Sequence, residues 1–439
     1  MRGTLPGFRD FYPEDFALRL HIVDAFRMVM GRFAFDEYDG PVLEPLELFT
    51  DKSGPEIVGQ LFHFKDRGDR DVAMRPEMTP TLARMVGARC QALRKPIRWC
   101  AVGEQFRYER PQKGRLRSFL QLNCDILGES GFRADGELIA ALLSTLQELG
   151  FTANDICLRL SDRQLWTILL SEFPLCDGEA ILRAIDRSGK EPAEVTEAVL
   201  RSILGDFTDR FIDAWRGLVA CNSLDSLREF FSAFPSHSSS ERIDALDGLL
   251  KFLGAMGFGD FISVDLSIVR GLAYYTGFVF EVFERSGAGR AVAGGGRYDG
   301  LVEKLGGPPL AACGFAIGDV VLSNLLVEKK LFNQSDVAPD LWVIFDDERQ
   351  AEALEMANVA RRAGARVAYE LRESVAEDKQ LKQATRAGAR FVLARCECGD
   401  RWRIKNLSSG EAVECSRCDF LTIWLAICEN DEICLANVK

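Results

Sequence analysis

The stretch Phe106 to Asp125 reads FRYERPQKGRLRSFLQLNCD, and its reading decides the fold. Its first half is basic, with Arg107, Arg110, Lys113, Arg115 and Arg117 set against one acid, Glu109. Clustered cations suit phosphate, because guanidinium forks match its oxygens and a local excess of positive charge draws anions. The second half alternates with period two, putting Gln121, Asn123 and Asp125 on one face and Leu120, Leu122, Cys124 and Ile126 on the other. That pattern is a strand, buried beneath and polar above. The same residues also suit a plain hairpin with a solvated charged turn, so the rest of the chain must supply the decision.

At 439 residues the chain exceeds one ordinary domain, and two or three are expected. Its formal net charge of −12 excludes bulk attraction to nucleic acid or an anionic membrane, so any polyanion must meet a local patch. No run of about eighteen apolar residues occurs, and no apolar stretch follows the basic residue of MRGTLPGFRDFYPED, which points to a cytosolic protein without membrane contact. Thirteen cysteines is an odd number, and most stand singly among apolar neighbours, as small core residues do. Only three histidines occur, His21, His63 and His237, none near a Ser or Cys in a setting that suggests His-based catalysis, so the chemistry must rest on Arg, Glu, Asp and Tyr.

Along the chain, Leu18, Ile22, Val23, Phe26, Met30 and Phe33 recur at helical spacing between Glu14 and Phe35. Phe62 to Phe64, Val72 to Arg75 and Ile97 to Val102 read as strands. Thr79 reads as the N-cap of a helix with Pro80 at its first position. A second helix covers Ala134 to Leu149 and ends on Gly150. A helical insertion is expected over about 171–255, then strands at Phe261 to Leu266 and Gly277 to Phe283, and a helix from near Gly314. These divide the chain into a first domain over 1–328, a polar linker over 329–338 and a second domain over 339–439. In the second, RAGAR occurs at Arg362 to Arg366 and Arg386 to Arg390, each time as helix end, Gly cap and strand start, which implies a small α/β domain with a parallel sheet.

Four stretches carry chemistry. Glu77 and Thr79, two residues apart at a helix start, can hold an ammonium group, or serve merely as an exposed acid and a cap. Arg270 before Tyr274-Tyr275 can stabilise charge on a phosphorane, or make a surface cation–aromatic contact. Gly294-Gly295-Gly296 lacks the dinucleotide-binding spacing and marks a close approach of backbone to a ligand or a neighbouring strand. Cys396, Cys398, Cys415 and Cys418 form two pairs separated by sixteen residues, a zinc-ribbon pattern whose first pair is one residue short, or four free thiols.

In order, these pieces resemble the histidyl-tRNA synthetases, class II aminoacyl-tRNA synthetases. The residues that carry the resemblance are Gly3-Thr4, Arg9 to Pro13, Arg75 to Thr79, FRYERPQ as motif 2, RGLAYYTG from Arg270 as the histidine-specific motif, and Gly295 to Gly300 with Gly314 to Gly318 toward motif 3. The resemblance implies a homodimer with an α+β class II catalytic domain, a six-stranded antiparallel sheet flanked by helices, a helical insertion and a C-terminal α/β domain of the anticodon-binding kind. It implies that Glu77, Thr79, Gln121 and Asp125 bind the histidine amino group and that Tyr274 and Tyr275 line the imidazole pocket. Arg107 and Arg270 would be catalytic, Arg107 also contacting the ATP α-phosphate, with Phe119 stacking on adenine. The tRNA acceptor end would meet Arg110, Lys113, Arg115 and Arg117, and Mg2+ would accompany ATP.

Two departures mark a variant site. Ala273 stands where familiar members read RGLDYY, and Gly318-Asp319-Val320-Val321-Leu322 stands where they read GLERL, so the motif 3 arginine is absent. Arg297, Arg115 or Mg2+ would compensate for it. The competing reading is a non-catalytic histidine-binding regulator of ATP phosphoribosyltransferase; a zinc-dependent nucleic-acid-binding protein rests on the four cysteines alone.

Overall fold

A computed structural model describes residues 3–53, 55–112, 114–173, 177–188, 193–234, 237–269, 275–286, 289–332, 338–396 and 401–430. The chain forms two compact units, residues 1–332 and 333–439.

In the first unit the strands are β1 (Asp36–Glu37), β2 (Leu43–Pro45), β3 (His63–Lys65), β4 (Asp71–Met74), β5 (Ile97–Phe106), β6 (Ser118–Leu127), β7 (Ile156–Asp162), β8 (Ile262–Val264), β9 (Phe278–Glu284), β10 (Ala293–Arg297) and β11 (Ala312–Gly318). The main sheet runs β1-β5-β6-β11-β10-β9-β7-β8. Its six inner strands, β5 through β7, pair antiparallel throughout, and the short edge strands β1 and β8 add parallel. A small sheet, β2-β4-β3, stands beside it over its own core of Phe49, Leu61 and Ala73.

The alternation in β6 sets the layers. Leu120, Leu122, Cys124 and Ile126 belong to the same buried cluster as the helices Pro13–Arg32 and Phe132–Glu148. The first helix opens with Pro13 at N1 and acids Glu14 and Asp15 beside the positive end of its dipole, and buries Ile22, Phe26, Val29 and Met30 along one stripe. The second is apolar over most of its surface, with Leu138 to Leu143 all inaccessible, and Gly150 beyond its end takes φ +91°. With one face of the sheet closed by these helices, the polar row of β6 is left for the other.

Two local expectations are corrected. Residues Ala312–Gly318 form a strand and the helix begins at Asp319, because Gly314 pairs with Asp125 across β11 and β6, a position an inner strand must fill. The helix Thr79–Arg89 has Met78 as its N-cap, with no side-chain capping bond, so the Thr79 hydroxyl is not used as a cap.

The insertion is helical: Gly178–Ser188, Ala193–Leu204, Thr208–Ala220, Leu224–Ser232 and His237–Ala255. It is fastened to the sheet by the buried Asp162, whose carboxylate caps the helix Arg163–Ser171 through the Gln164 amide at 2.8 Å and pairs with Arg242.

The second unit has β12 (Leu341–Val343), β13 (Val367–Tyr369), β14 (Phe391–Arg395), β15 (Trp402–Asn406) and β16 (Ala412–Cys415) in the order β13-β12-β14-β15-β16. The first three are parallel and the last two add antiparallel. Both RAGAR copies behave alike: the helices end at Arg362 and Arg386, and Gly364 and Gly388 turn the chain with φ +94° and +71°.

Arg297 lies inside the first unit. It is 4% exposed, and it donates to Asp135 at 2.6, 3.1 and 3.2 Å, to the Glu129 carbonyl at 3.0 Å and to the Gly131 carbonyl at 3.3 Å. Its donors tie β10 to the start of the helix Phe132–Glu148, so it does not meet the expectation of an ATP contact. Burial pushes the Asp135 carboxyl up to about 6 against the pull of Arg297, which leaves it ionised at neutral pH. Removing one member of such a pair strands the other charge in a dry site. Asp135→Ala is therefore expected to cost about 3–5 kcal/mol in urea denaturation, and an Asp135→Leu/Arg297→Met double variant to recover much of that loss.

Candidate functional site

The stretch from Arg107 to Arg117 is the turn joining β5 and β6. Phe106 pairs with Ser118 at its base, the Arg107 amide donates to the Arg117 carbonyl at 2.9 Å, and Gln112 and Arg115 exchange backbone bonds near its tip. The amino-terminal segment braces it, since the Gly7 carbonyl accepts from the Arg117 amide at 2.9 Å and the Ser118 amide at 3.2 Å. A second brace is Asp319. Its carboxylate takes the Leu120 amide at 3.0 Å, just past the last residue of β6 that β11 covers, and pairs with Arg9 at 2.7 Å. Burial pushes that carboxyl up and Arg9 draws it back.

On the open face of the sheet lies a cavity of about 70 Å³. Gln121, Asn123 and Asp125 enter it from β6, Glu77 and Thr79 from the start of the helix Thr79–Arg89, and Tyr275 and Tyr298 close its sides. The Tyr298 hydroxyl donates to Asp125 at 2.5 Å; burial and then Asp125 hold its pKa well above the usual value, so it remains a donor. Gln121 Oε1 and Asn123 Oδ1 are buried acceptors without a hydrogen-bond partner among the described residues. Two carboxylates, two amide oxygens and a hydroxyl form a receptor for an ammonium group.

The backbone makes room for this set. Gly314 lies opposite Asp125, and a Cβ there would collide with the Asp125 carboxylate. On β10 a Cβ at Gly296 would come within 2.9 Å of the Tyr275 ring and 2.7 Å of the Phe278 carbonyl. The glycine triplet thus serves a close approach between strands, and Gly294 lines the cavity.

A larger cavity of about 820 Å³ adjoins the first, and Arg107, Gln121, Gly294 and Ala316 line both. Arg107 stands at the junction, its Nε donating to the Pro76 carbonyl at 3.1 Å and its guanidinium 5.2 Å from the Phe119 ring. An anionic group is favoured at that point. An ammonium receptor, a cation beside it and a wider cleft walled by an aromatic ring suit an amino acid placed head-on to a nucleotide.

The expected residues fall into three groups. Glu77, Thr79, Gln121, Asp125, Tyr275, Arg107 and Phe119 are brought together at the two cavities. Arg115 lines the larger cavity while paired with Glu109 at 2.9 Å, Arg110 is exposed, and Arg117 packs over Tyr108 at 4.4 Å and donates to the Glu109 carbonyl. Arg270, Tyr274, Lys113 and Cys398 lie outside the described residues. The sequence reading left out Asn123 as a contact and missed Tyr298, Glu281 and Arg290. For Asn123 the period-two row was the signal; for the other three only the three-dimensional arrangement gives one.

Comparison with known proteins identifies the family. The family model described as histidyl-tRNA synthetase matches residues 7–319. A histidine–tRNA ligase of Opitutus terrae is 45% identical over 394 residues, 89% of this chain and 90% of that protein. One of Halobacterium salinarum is 38% identical over 422 residues, 94% and 95% of the two chains, and a chloroplastic/mitochondrial one of Arabidopsis thaliana is 36% identical over 92% and 83%. The fold matches histidyl-tRNA synthetase from Nostoc sp. PCC 7120 with a TM-score of 0.82 at 22% identity, over 97% of this chain and 99% of that one. It also matches an ATP phosphoribosyltransferase regulatory subunit/histidyl-tRNA synthetase from Bacillus halodurans with a TM-score of 0.73 at 22% identity, over 88% and 96%. From motif order, site geometry and these relatives together, the chain belongs to the histidyl-tRNA synthetase family.

Proposed function

We propose that this chain joins L-histidine to ATP as histidyl-adenylate, releasing pyrophosphate, and then passes the histidyl group to the acceptor end of tRNA(His). The observation that carries this reading is the ammonium receptor of Gln121, Asn123, Asp125, Glu77 and Thr79 opening onto Arg107 and the larger cavity. With its ammonium held there, histidine directs its carboxylate toward Arg107. One carboxylate oxygen attacks the α-phosphorus in line, the bond to the bridging oxygen of pyrophosphate breaks, and Arg107 stabilises the charge on the phosphoryl oxygens. Phe119 offers its ring to adenine and Tyr275 its face to the imidazole. Magnesium fits the donor set, because Glu281 adds a carboxylate to the larger cavity and Mg2+ is ordinarily held by one or two carboxylates plus phosphate oxygens. Bound there, it would neutralise charge on the leaving pyrophosphate.

The resemblance alone supports the finer parts: transition-state stabilisation by Arg270, an imidazole contact from Tyr274, acceptor-end contacts from Arg110, Lys113, Arg115 and Arg117, a homodimer in the cytosol, and an anticodon-binding role for residues from 339 onward. A structural zinc on Cys396, Cys398, Cys415 and Cys418 belongs here too. Register supports it: Trp402 pairs with both Arg395 and Cys415, which brings Cys396 and Cys415 to one end of the β14-β15-β16 unit. Among the described residues no three candidate ligands converge.

Purified protein is expected to catalyse histidine-dependent exchange of pyrophosphate into ATP; histidine binding without exchange would favour the regulatory reading. Asp125→Asn keeps the shape and an acceptor for Tyr298 but removes the charge, so kcat/KM for histidine should fall roughly 10- to 100-fold with the KM for ATP little changed. Equal losses for both substrates would contradict the ammonium role. Elemental analysis should find about one zinc per chain, and less than about one-tenth would sink the metal site.

A further inference from the structure

Three cations among the described residues line the larger cavity: Arg107, Arg115 and Arg290. Arg107 stands at the junction with the small cavity, and Arg115 has Glu109 at 2.9 Å. Arg290 differs from both. It lies on the connection between β9 and β10, and its Nη2 donates to the neutral Gln112 Oε1 at 2.8 Å, in the β5–β6 turn. That contact holds a guanidinium over the cavity without neutralising it. Val321, on the helix Asp319–Glu328, occupies the place where the family's motif 3 has its arginine. The two side chains converge: a Cβ on Gly114 would lie 3.4 Å from Arg290 Cδ and 3.5 Å from Val321 Cγ2.

We propose that Arg290, held by Gln112, is the cation that binds the β- and γ-phosphates of ATP in this chain, doing from the β9–β10 connection what the missing motif 3 arginine would do from the helix. Valine at 321 fits this exchange, since a short apolar side chain leaves room for the Arg290 stem where a second guanidinium would crowd and repel it. The cavity's acids are Glu109, paired with Arg115, and Glu281, whose carboxylate the proposed function gives to Mg2+.

This inference rests on the adenylation reading and is tested by nucleotide binding at equilibrium, which does not require turnover. Titration calorimetry with ATP and with AMP, both with Mg2+, compares the full-length protein with Arg290→Ala. ATP affinity is expected to fall roughly 10- to 100-fold and AMP affinity to stay within about twofold, since AMP lacks the phosphates in question. Adding Val321→Arg to Arg290→Ala should restore much of the ATP affinity. Equal losses for the two nucleotides, or none for ATP, would overturn the assignment. If Arg290→Ala does not fold, Arg290→Lys and Gln112→Ala carry the same comparison with smaller effects in the same direction, and an unchanged ATP-to-AMP ratio in both overturns it. Absence of pyrophosphate exchange with the Arg290-dependent ATP preference intact would sink the activity and uphold this assignment.

Discussion

The register of β11 against β6 is the constraint on which the site depends. Seven residue pairs fix it, from Ala312 with Leu127 to Gly318 with Gln121, and within it Gly314 meets Asp125. A slip of one residue would turn the polar row of β6 into the helices and its leucines into the cavity. Gly314 is the only residue type that leaves the Asp125 carboxylate its space, and Asp319, one residue past the strand, takes the Leu120 amide that β11 no longer covers. The end of the ladder is thus closed by a side chain, and Arg9 fastens the amino-terminal segment to the same carboxylate.

Much of this was legible. Period two in LQLNCDI separates a core face from a ligand face in any sheet, and the helix Glu377–Arg386 and both RAGAR turns follow from local rules alone. The helix expected near Gly314 failed because a Gly- and Ala-rich segment carries no period of its own; its state is set by neighbours on both sides. Thr79 failed as a cap since a start signal does not say whether the hydroxyl turns to backbone or ligand. Arg297 was misassigned because its partner, Asp135, lies 162 residues away. The hairpin β15–β16 carried a readable alternation, with Trp402 and Ile404 buried and Arg403 and Lys405 exposed, which attention to the nearby cysteines hid.

An acidic chain that handles ATP must keep its cations from one another's acids. Most of its buried or half-buried arginines are consumed structurally: Arg9 with Asp319 at 2.7 Å, Arg75 with Asp39 at 3.0 Å, Arg84 with Glu44 at 2.7 Å and Arg297 with Asp135 at 2.6 Å. Each joins segments far apart in sequence, and removing the partner of its buried member (Asp319, Arg75, Glu44, or either of Arg297 and Asp135) leaves a poorly solvated charge. These arginines explain folding and have little charge left for a ligand.

Arg107 and Arg290 obey the opposite rule. Their hydrogen-bond partners are a carbonyl and an amide, which orient a guanidinium and leave its charge uncancelled. Orientation by neutral acceptors keeps a binding group in place before the ligand arrives, so its rotamer freedom is not lost again on binding. Partner type therefore separates structural from ligand-binding arginines here better than sequence motif does: by motif, Arg297 belonged to the nucleotide and Arg290 to an anonymous turn. By partner, the two exchange places.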